Sequence, residues 1–279
     1  MTWVNRAGQV VGTVGDPYTV EGIRISPDGR YGVTYVASAT SDIGLFDLET
    51  GDMRRLTFEE ENEDNPVWSR DGQRVAYHLV RSGRDHHIYV REVFGGGEPR
   101  LVHTTTGYVA PRSWSPDGNR IVAWEGGVLE VVNLQDGSVD TVTAQTGAEG
   151  GRISPDGRWL AYTSLETGQS EVYVSAFPGL NRKRQISRDG GRMPEWSLQS
   201  GELFYVTGDT LMVTEVTTGS SFLNTTPQPL FVSAGFASNE LWYAVSPDGQ
   251  RFLYPAANPE APAEEIHVVV NWFEELRGR

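Results

Sequence analysis

The side chains able to do chemistry are few and loosely grouped. The chain has 279 residues, five histidines and no cysteine. Without thiols there is no disulfide framework, thiolate metal site or cysteine nucleophile. His86 and His87 are adjacent in RSGRDHHIYV, a segment that reads as a strand. Neighbours in a strand point to opposite faces, so this pair is not expected to ligate one metal. His78 and His103 lie in other strand-like segments and read as packing or surface residues. The sequence contains no G-x-S-x-G nucleophile elbow and no H-E-x-x-H zinc motif. One acidic group does recur: the aspartate of S-P-D-G, in RISPDGR at 24–30 and again at 152–158, with near-copies beginning at Trp68, Trp114 and Val245.

The elements around this motif give it a structural meaning. In S-P-D-G, proline presets φ for the first central position of a type I turn, aspartate caps nearby backbone amides, and glycine accepts the left-handed conformation. Such a turn joins two strands as a hairpin. Counting a degenerate copy, SLQS at 197–200, the serine recurs at Ser26, Ser69, Ser115, Ser154, Ser197 and Ser246. That is roughly every 40–50 residues, the period of a four-stranded propeller blade. β-Branched and aromatic strands follow each turn, as in YGVTYV then IGLFDL, or WLAYTS then EVYVSAF. The sequence therefore predicts an all-β, six-bladed β-propeller forming a single domain. Its blades are placed at 21–58, 65–104, 110–145, 150–188, 193–232 and 241–272, with the N-terminal strand 2–6 completing the last blade. The last blade is expected to take its third strand from 266–272 and its final one from 2–6. Trp68, Trp114 and Trp196, each just before a turn, are expected to pack between blades.

Charge points to one face. The net charge of −14 argues against nucleic acid as a partner. In a propeller, the loops entering each innermost strand share a face with the loops between second and third strands. Together these two sets carry a charge equal to the whole net charge, −14. The run EEENEDN at 59–65 dominates it, supplying Glu59, Glu60, Glu61, Glu63 and Asp64. The acidic face and channel mouth are thus the expected binding region. Its candidate residues are Glu21, Glu59, Glu60, Glu61, Glu63, Asp64, Asn65, Glu149, Arg192, Asn239 and Glu240. A protein or peptide partner of basic character would be steered there. Glu21, Asp64, Asn65, Glu149, Asn239 and Glu240 precede innermost strands and are also the oxygen donors a channel calcium would use. No cofactor is expected otherwise, and no run of residues is long and apolar enough for a membrane helix.

The repeated unit, an apolar strand, S-P-D-G, then a strand ending in Ala-Tyr, resembles the TolB-like, or PD40, propeller repeat over essentially the whole chain. WVNRAGQV, ELFYVTGDTLMVTEV, YAVSPDGQRFL and VVVNWFEELRGR are similar to the propeller C-terminal to bacterial serine/threonine protein kinases. Related propellers follow winged-helix regulators. The kinase signatures themselves are absent from this sequence. The resemblance implies a non-catalytic, monomeric binding module with a sensory or scaffolding role in bacterial signalling. It implies an extracytoplasmic location if a kinase and membrane helix precede the module. The alternatives are a channel-centred, metal-dependent hydrolase or lactonase, and a TolB-like scaffold of the cell envelope.

Overall fold

In the computed structural model, residues 1–15, 22–36, 40–81, 85–142, 147–236 and 243–254 are described. They form six antiparallel sheets whose innermost strands adjoin one another around a closed ring. From the axis outward, blade 1 comprises Arg24–Ile25, Tyr31–Val36, Asp42–Asp47 and Met53–Arg55. Blade 2 runs through Glu63–Trp68, Arg74–Val80, His86–Glu92 and Arg100–Thr105. Blade 3 comprises Val109–Trp114, Arg120–Glu125, Val128–Asn133 and Val139–Thr141. Blade 4 comprises Glu149–Ile153, Trp159–Ser164, Glu171–Ala176 and Arg184–Gln185. In blade 5, Arg192–Trp196 and Glu202–Thr207 lead to a long strand, Thr210–Thr217, which pairs with both Leu223–Asn224 and Gln228–Val232. Among the described residues no helix is long and apolar enough to cross a membrane.

The sixth blade closes the ring, with one difference from expectation. Its inner strands are Ala244–Val245 and Arg251–Tyr254. Thr2–Asn5 pairs directly with Arg251–Tyr254, Thr2 opposite Tyr254, and Val10–Thr13 lies outside it. The N-terminal segment thus supplies the third and fourth strands rather than the fourth alone. The segment 266–272, expected in the third position, lies outside the described residues. The parity explains the fit: Trp3 is buried against Phe46 and Leu253, while Val4 is buried against Phe252 and Phe231. Each face of this strand meets a different neighbouring blade.

The core is divided the same way. Six apolar clusters each draw on two adjacent blades, such as Val33, Leu45, Tyr77 and Tyr89 between blades 1 and 2. Trp68, Trp114 and Trp196 are buried in these seams as expected. The indoles of Trp68 and Trp196 also donate to the carbonyls of Arg24 and Arg152 in the preceding blade, at 2.9 and 2.8 Å.

The S-P-D-G turns repeat atom for atom. In blade 4, Ser154 Oγ donates to Asp156 (2.6 Å), and the same carboxylate accepts from the Arg158 amide (3.1 Å). The Gly157 amide donates to the Ser154 carbonyl (2.9 Å), with Gly157 at φ 73°. Asp28, Asp71, Asp117 and Asp248 act alike. In blade 5 the left-handed residue is Gly201 (φ 68°), one position beyond where S-P-D-G places it. These aspartates are turn residues on the face opposite the acidic loops.

Candidate functional site

The innermost strands do not run smoothly along the channel. In blades 2, 3, 4 and 5 each shifts register against its neighbour, at Asp64/Val67, Pro111/Ser113, Gly150/Arg152 and Arg192/Glu195. A β-bulge kinks a strand and re-aims its side chains. Here Asn65 (φ 50°), Gly150 (φ 84°), Gly151 (φ 81°) and Met193 (φ 54°) take the left-handed conformation at these shifts. The bulges deliver charged side chains to the axis.

Arg24, Arg112 and Arg152 converge there with Glu195. Glu195 Oε1 accepts from Arg24 Nη1 (2.9 Å) and Arg152 Nε (2.7 Å), bridging blades 1, 4 and 5. Arg152 also donates to the Arg112 carbonyl, and Arg112 Nη1 donates to Asn65 Oδ1 (3.1 Å). Burial, reinforced by the Arg152 charge, lowers Arg24 to about 9 and Arg112 to about 10. Desolvation and like charge both disfavour a charged guanidinium.

Two cavities open on the loop-bearing side of this ring. One, of about 250 Å³, lies between blades 1, 2 and 3 and is lined by Arg24, Tyr35, Asp64, Asn65, Tyr108 and Arg112. The other, of about 610 Å³, extends toward blade 5 and includes Trp124, Glu149, Thr163 and Arg192. Tyr108 and Arg112 belong to both. A third cavity, about 150 Å³, lies on the turn side and is also bounded by Arg24, Arg112, Arg152 and Glu195.

A hydrogen-bonded chain stands at the edge of the first cavity. Asp64 Oδ1 is 2.8 Å from His78 Nδ1, and His78 Nε2 is 2.8 Å from His86 Nδ1. An ionised Asp64 only accepts, so His78 carries its proton on Nδ1, and His86 donates to it from Nδ1. This leaves His86 Nε2 with its lone pair outward along the relay. Tyr108 Oη donates to Asp64 Oδ2 (3.2 Å) and accepts from Asn65 Nδ2 (2.7 Å). Its ring packs edge-on against both imidazoles. Burial acts to raise Asp64, but His78, Asn65 and Tyr108 together hold it below the usual carboxylate range. Burial, with repulsion from His78 whenever that ring is protonated, lowers His86.

The expected site residues divide into four groups. Asp64, Asn65, Glu149 and Arg192 line the cavities. Arg192 donates to the carbonyls of Gly208 (3.3 Å) and Phe236, so it also ties blade 5 toward blade 6. Glu59 and Glu60 are exposed and Glu61 half-buried; they lie on the rim and line neither cavity. Glu63 corrects the expectation: it is fully buried and offers nothing to a partner. Strand alternation explains this, since Asp64 faces the channel and its neighbour Glu63 turns into the blade 1–2 seam. Burial, with the repulsion of Asp42 and Glu59, raises it to about 7, and neither carboxylate oxygen has a hydrogen-bond partner among the described residues. Glu21, Asn239 and Glu240 lie outside the described residues. Of the calcium donors that remain, Asp64 and Asn65 are engaged with His78, Tyr108 and Arg112.

Sequence reasoning missed His78, Tyr108, Trp124 and the three channel arginines. His78 carried a usable signal, because it shares an inward parity with Asp64, its cross-strand partner. The arginines of the two RISPDGR copies, Arg24 and Arg152, were visible as repeats but not as axial residues.

The fold and its repeat define a TolB-type propeller, and comparison with known proteins agrees. The model of the TolB beta propeller domain, PD40, matches residues 14–199, so the chain belongs to this family. A protein of Agrobacterium fabrum named only as uncharacterized is 28% identical over 167 residues, covering 55% of this chain and 54% of that protein. The uncharacterized peptidase YuxL of Bacillus subtilis is 33% identical over 85 residues, 30% of this chain and 13% of that protein. The chain thus matches about half or less of the length of these curated relatives. Among solved structures, a TolB-assigned protein of Agrobacterium tumefaciens has a TM-score of 0.66 at 21% identity, covering 90% of this chain and 95% of that one. An oligogalacturonate lyase of Vibrio parahaemolyticus has 0.60 at 15%, covering 88% and 80%. Likeness at this level of identity establishes the shared fold.

Proposed function

We propose that this propeller is a non-catalytic binding module whose ligand, a protein or peptide segment of basic character, docks at the loop face and enters the channel mouth. The observation that carries this reading is the joining of two cavities at Tyr108 and Arg112. Tyr108 and Trp124 pack edge to face there and offer an aromatic platform beside Glu149. Such a concave mixture of aromatic and charged groups suits a polar chain segment. The exposed Glu59 and Glu60 on the rim steer cationic partners toward it. We assign the module to bacterial signalling, as the sensory part of a kinase-associated protein, on the resemblance of its N-terminal segment, fifth and sixth blades and C-terminal sequence to such propellers.

The test is binding of a basic peptide library to the immobilised protein at low and high salt. Tyr108→Ala is expected to weaken the selected peptide about tenfold or more, and Glu59→Gln/Glu60→Gln to reduce its association rate at low salt only. Equal capture by all three proteins would overturn the reading. A second reading, an enzyme working from the channel mouth, is favoured by the Asp64–His78–His86 relay, which could hold a general base at His86 Nε2. Turnover of ester, lactone or polysaccharide substrates, abolished by His86→Ala, would support it instead.

A further inference from the structure

A second group of donor atoms lies away from the channel, in the seam between blades 2 and 3. Alternation places it there. Ile121 and Ala123 face blade 2, so Glu125 does too; Val132 faces blade 2, so Glu130 does too. In this antiparallel pair Glu130 is opposite Ala123 and Glu125 opposite Val128, which makes the two glutamates diagonal neighbours on one face. From the other side comes His103, on the outer strand of blade 2, opposite Ile88. The seam is otherwise apolar: Val67, Ile88, Val90 and Val132 fill it.

Two observations meet at this point. One nitrogen of His103 and one oxygen each of Glu125 and Glu130 lie within 4.8 Å of one another. His103 Nε2 is buried and takes no hydrogen-bond partner among the described residues. Two carboxylates and an idle imidazole in a half-buried seam are costly as they stand, because like charges repel and a buried acceptor goes unmatched. Thr105 steadies one of them, donating to Glu125 Oε1 at 2.6 Å.

We propose that His103, Glu125 and Glu130 bind a divalent transition-metal ion of the zinc class. The donor set is one neutral imidazole and two carboxylates, which suits zinc or cobalt; hard calcium and magnesium ions prefer all-oxygen shells. Ligand bonds of about 2.0–2.2 Å need side-chain adjustments of about 1 Å from the present positions. The protein fills three positions and leaves the remainder to solvent or to a ligand. Because His103 comes from blade 2 and both glutamates from blade 3, the ion acts as an inter-blade clamp and stabilises the ring by linkage.

The test is titration of the metal-stripped full chain with Zn(II), followed by calorimetry and thermal melting, with Co(II) absorption as a spectroscopic check. The wild type is expected to bind one Zn(II) per chain and to melt at a higher temperature with it. Glu130→Gln and His103→Gln should each weaken the site about tenfold or more and remove the thermal shift. His86→Ala, which alters the channel relay, should leave Zn(II) uptake unchanged. Failure of the folded wild type to take up Zn(II) would overturn the proposal, as would uptake unaltered in Glu130→Gln or lost only in His86→Ala. Glu130→Gln is nearly isosteric and decides the matter if His103→Gln does not fold.

Discussion

The two faces of the ring are built on opposite plans. On the turn face, five blades repeat one Ser–Asp–amide hydrogen-bond pattern. The glycine of one turn abuts the proline of the preceding blade's turn: Gly29 on Pro247, Gly72 on Pro27, and Gly157 on Pro116. On the loop face no such pattern recurs among the described residues, and it is there that Asp64, His86, Tyr108, Glu149 and Arg192 gather. A repeat that secures one rim leaves the other free to diverge. The lesson is that the recurring aspartate marks the frame, while chemistry collects where the pattern stops.

Perturbing the channel ring tests this contrast most strongly. Glu195→Ala removes the carboxylate that binds both Arg24 and Arg152, leaving one half-buried and one buried guanidinium without it. A loss of about 3–5 kcal/mol is expected, read from urea unfolding; a loss below 1 kcal/mol, taking the usual range for exposed pairs, would show that the ring is not a structural hub.

The effect of Glu63→Gln depends on pH. Glu63 titrates at about 7 when folded and from 4.5 when exposed. Below the lower value both states keep the proton and the carboxyl has no effect. As pH rises between the two values, the unfolded chain ionises first and the native protein loses stability; above the upper value the deficit is constant. Glu63→Gln is therefore expected to be near neutral at acid pH and stabilising by about 1–3 kcal/mol at alkaline pH. A parallel pair of stability–pH curves would contradict the buried assignment.

The smallest expected effect separates the blades of the turn face. Asp156→Ala removes an acceptor for Ser154 and for the Arg158 amide and should cost about 1 kcal/mol. Gln199→Ala, at the equivalent position in blade 5, should stay within about 0.5 kcal/mol, because only the Gln199 backbone bonds Ser197. Equal losses at the two sites would mean that blade 5 has kept the device in another form.

The architecture was legible because its signals are local. S-P-D-G specifies its own hairpin through φ preferences and side-chain caps, and the spacing of six such turns sets the blade count. The strand order of blade 6 was not, because the sequences of 2–5 and 266–272 both read as apolar strand patterns and nothing local ranks them for the place beside Arg251–Tyr254. The rim was legible from charge, yet Glu63 and Asp64 are adjacent acids with opposite fates, separated only by strand parity. The throat was the least legible. Arg24, Arg112, Arg152 and Glu195 come from four blades, and bulges invisible in the sequence pattern lie at the last three of them.

The pairing of Thr2 with Tyr254 has a kinetic consequence. The first strand made waits for nearly the last described one before it finds its partner. During synthesis the earlier blades can stack on one another as they emerge, but the ring stays an open arc with two bare flanks. Closing it brings together ends separated by most of the chain, so this step carries the largest loop-closure entropy. Assembly of the toroid is therefore expected to end in one late, cooperative latching event, and a mutation that loosens the latch should slow maturation more than it disturbs any single blade.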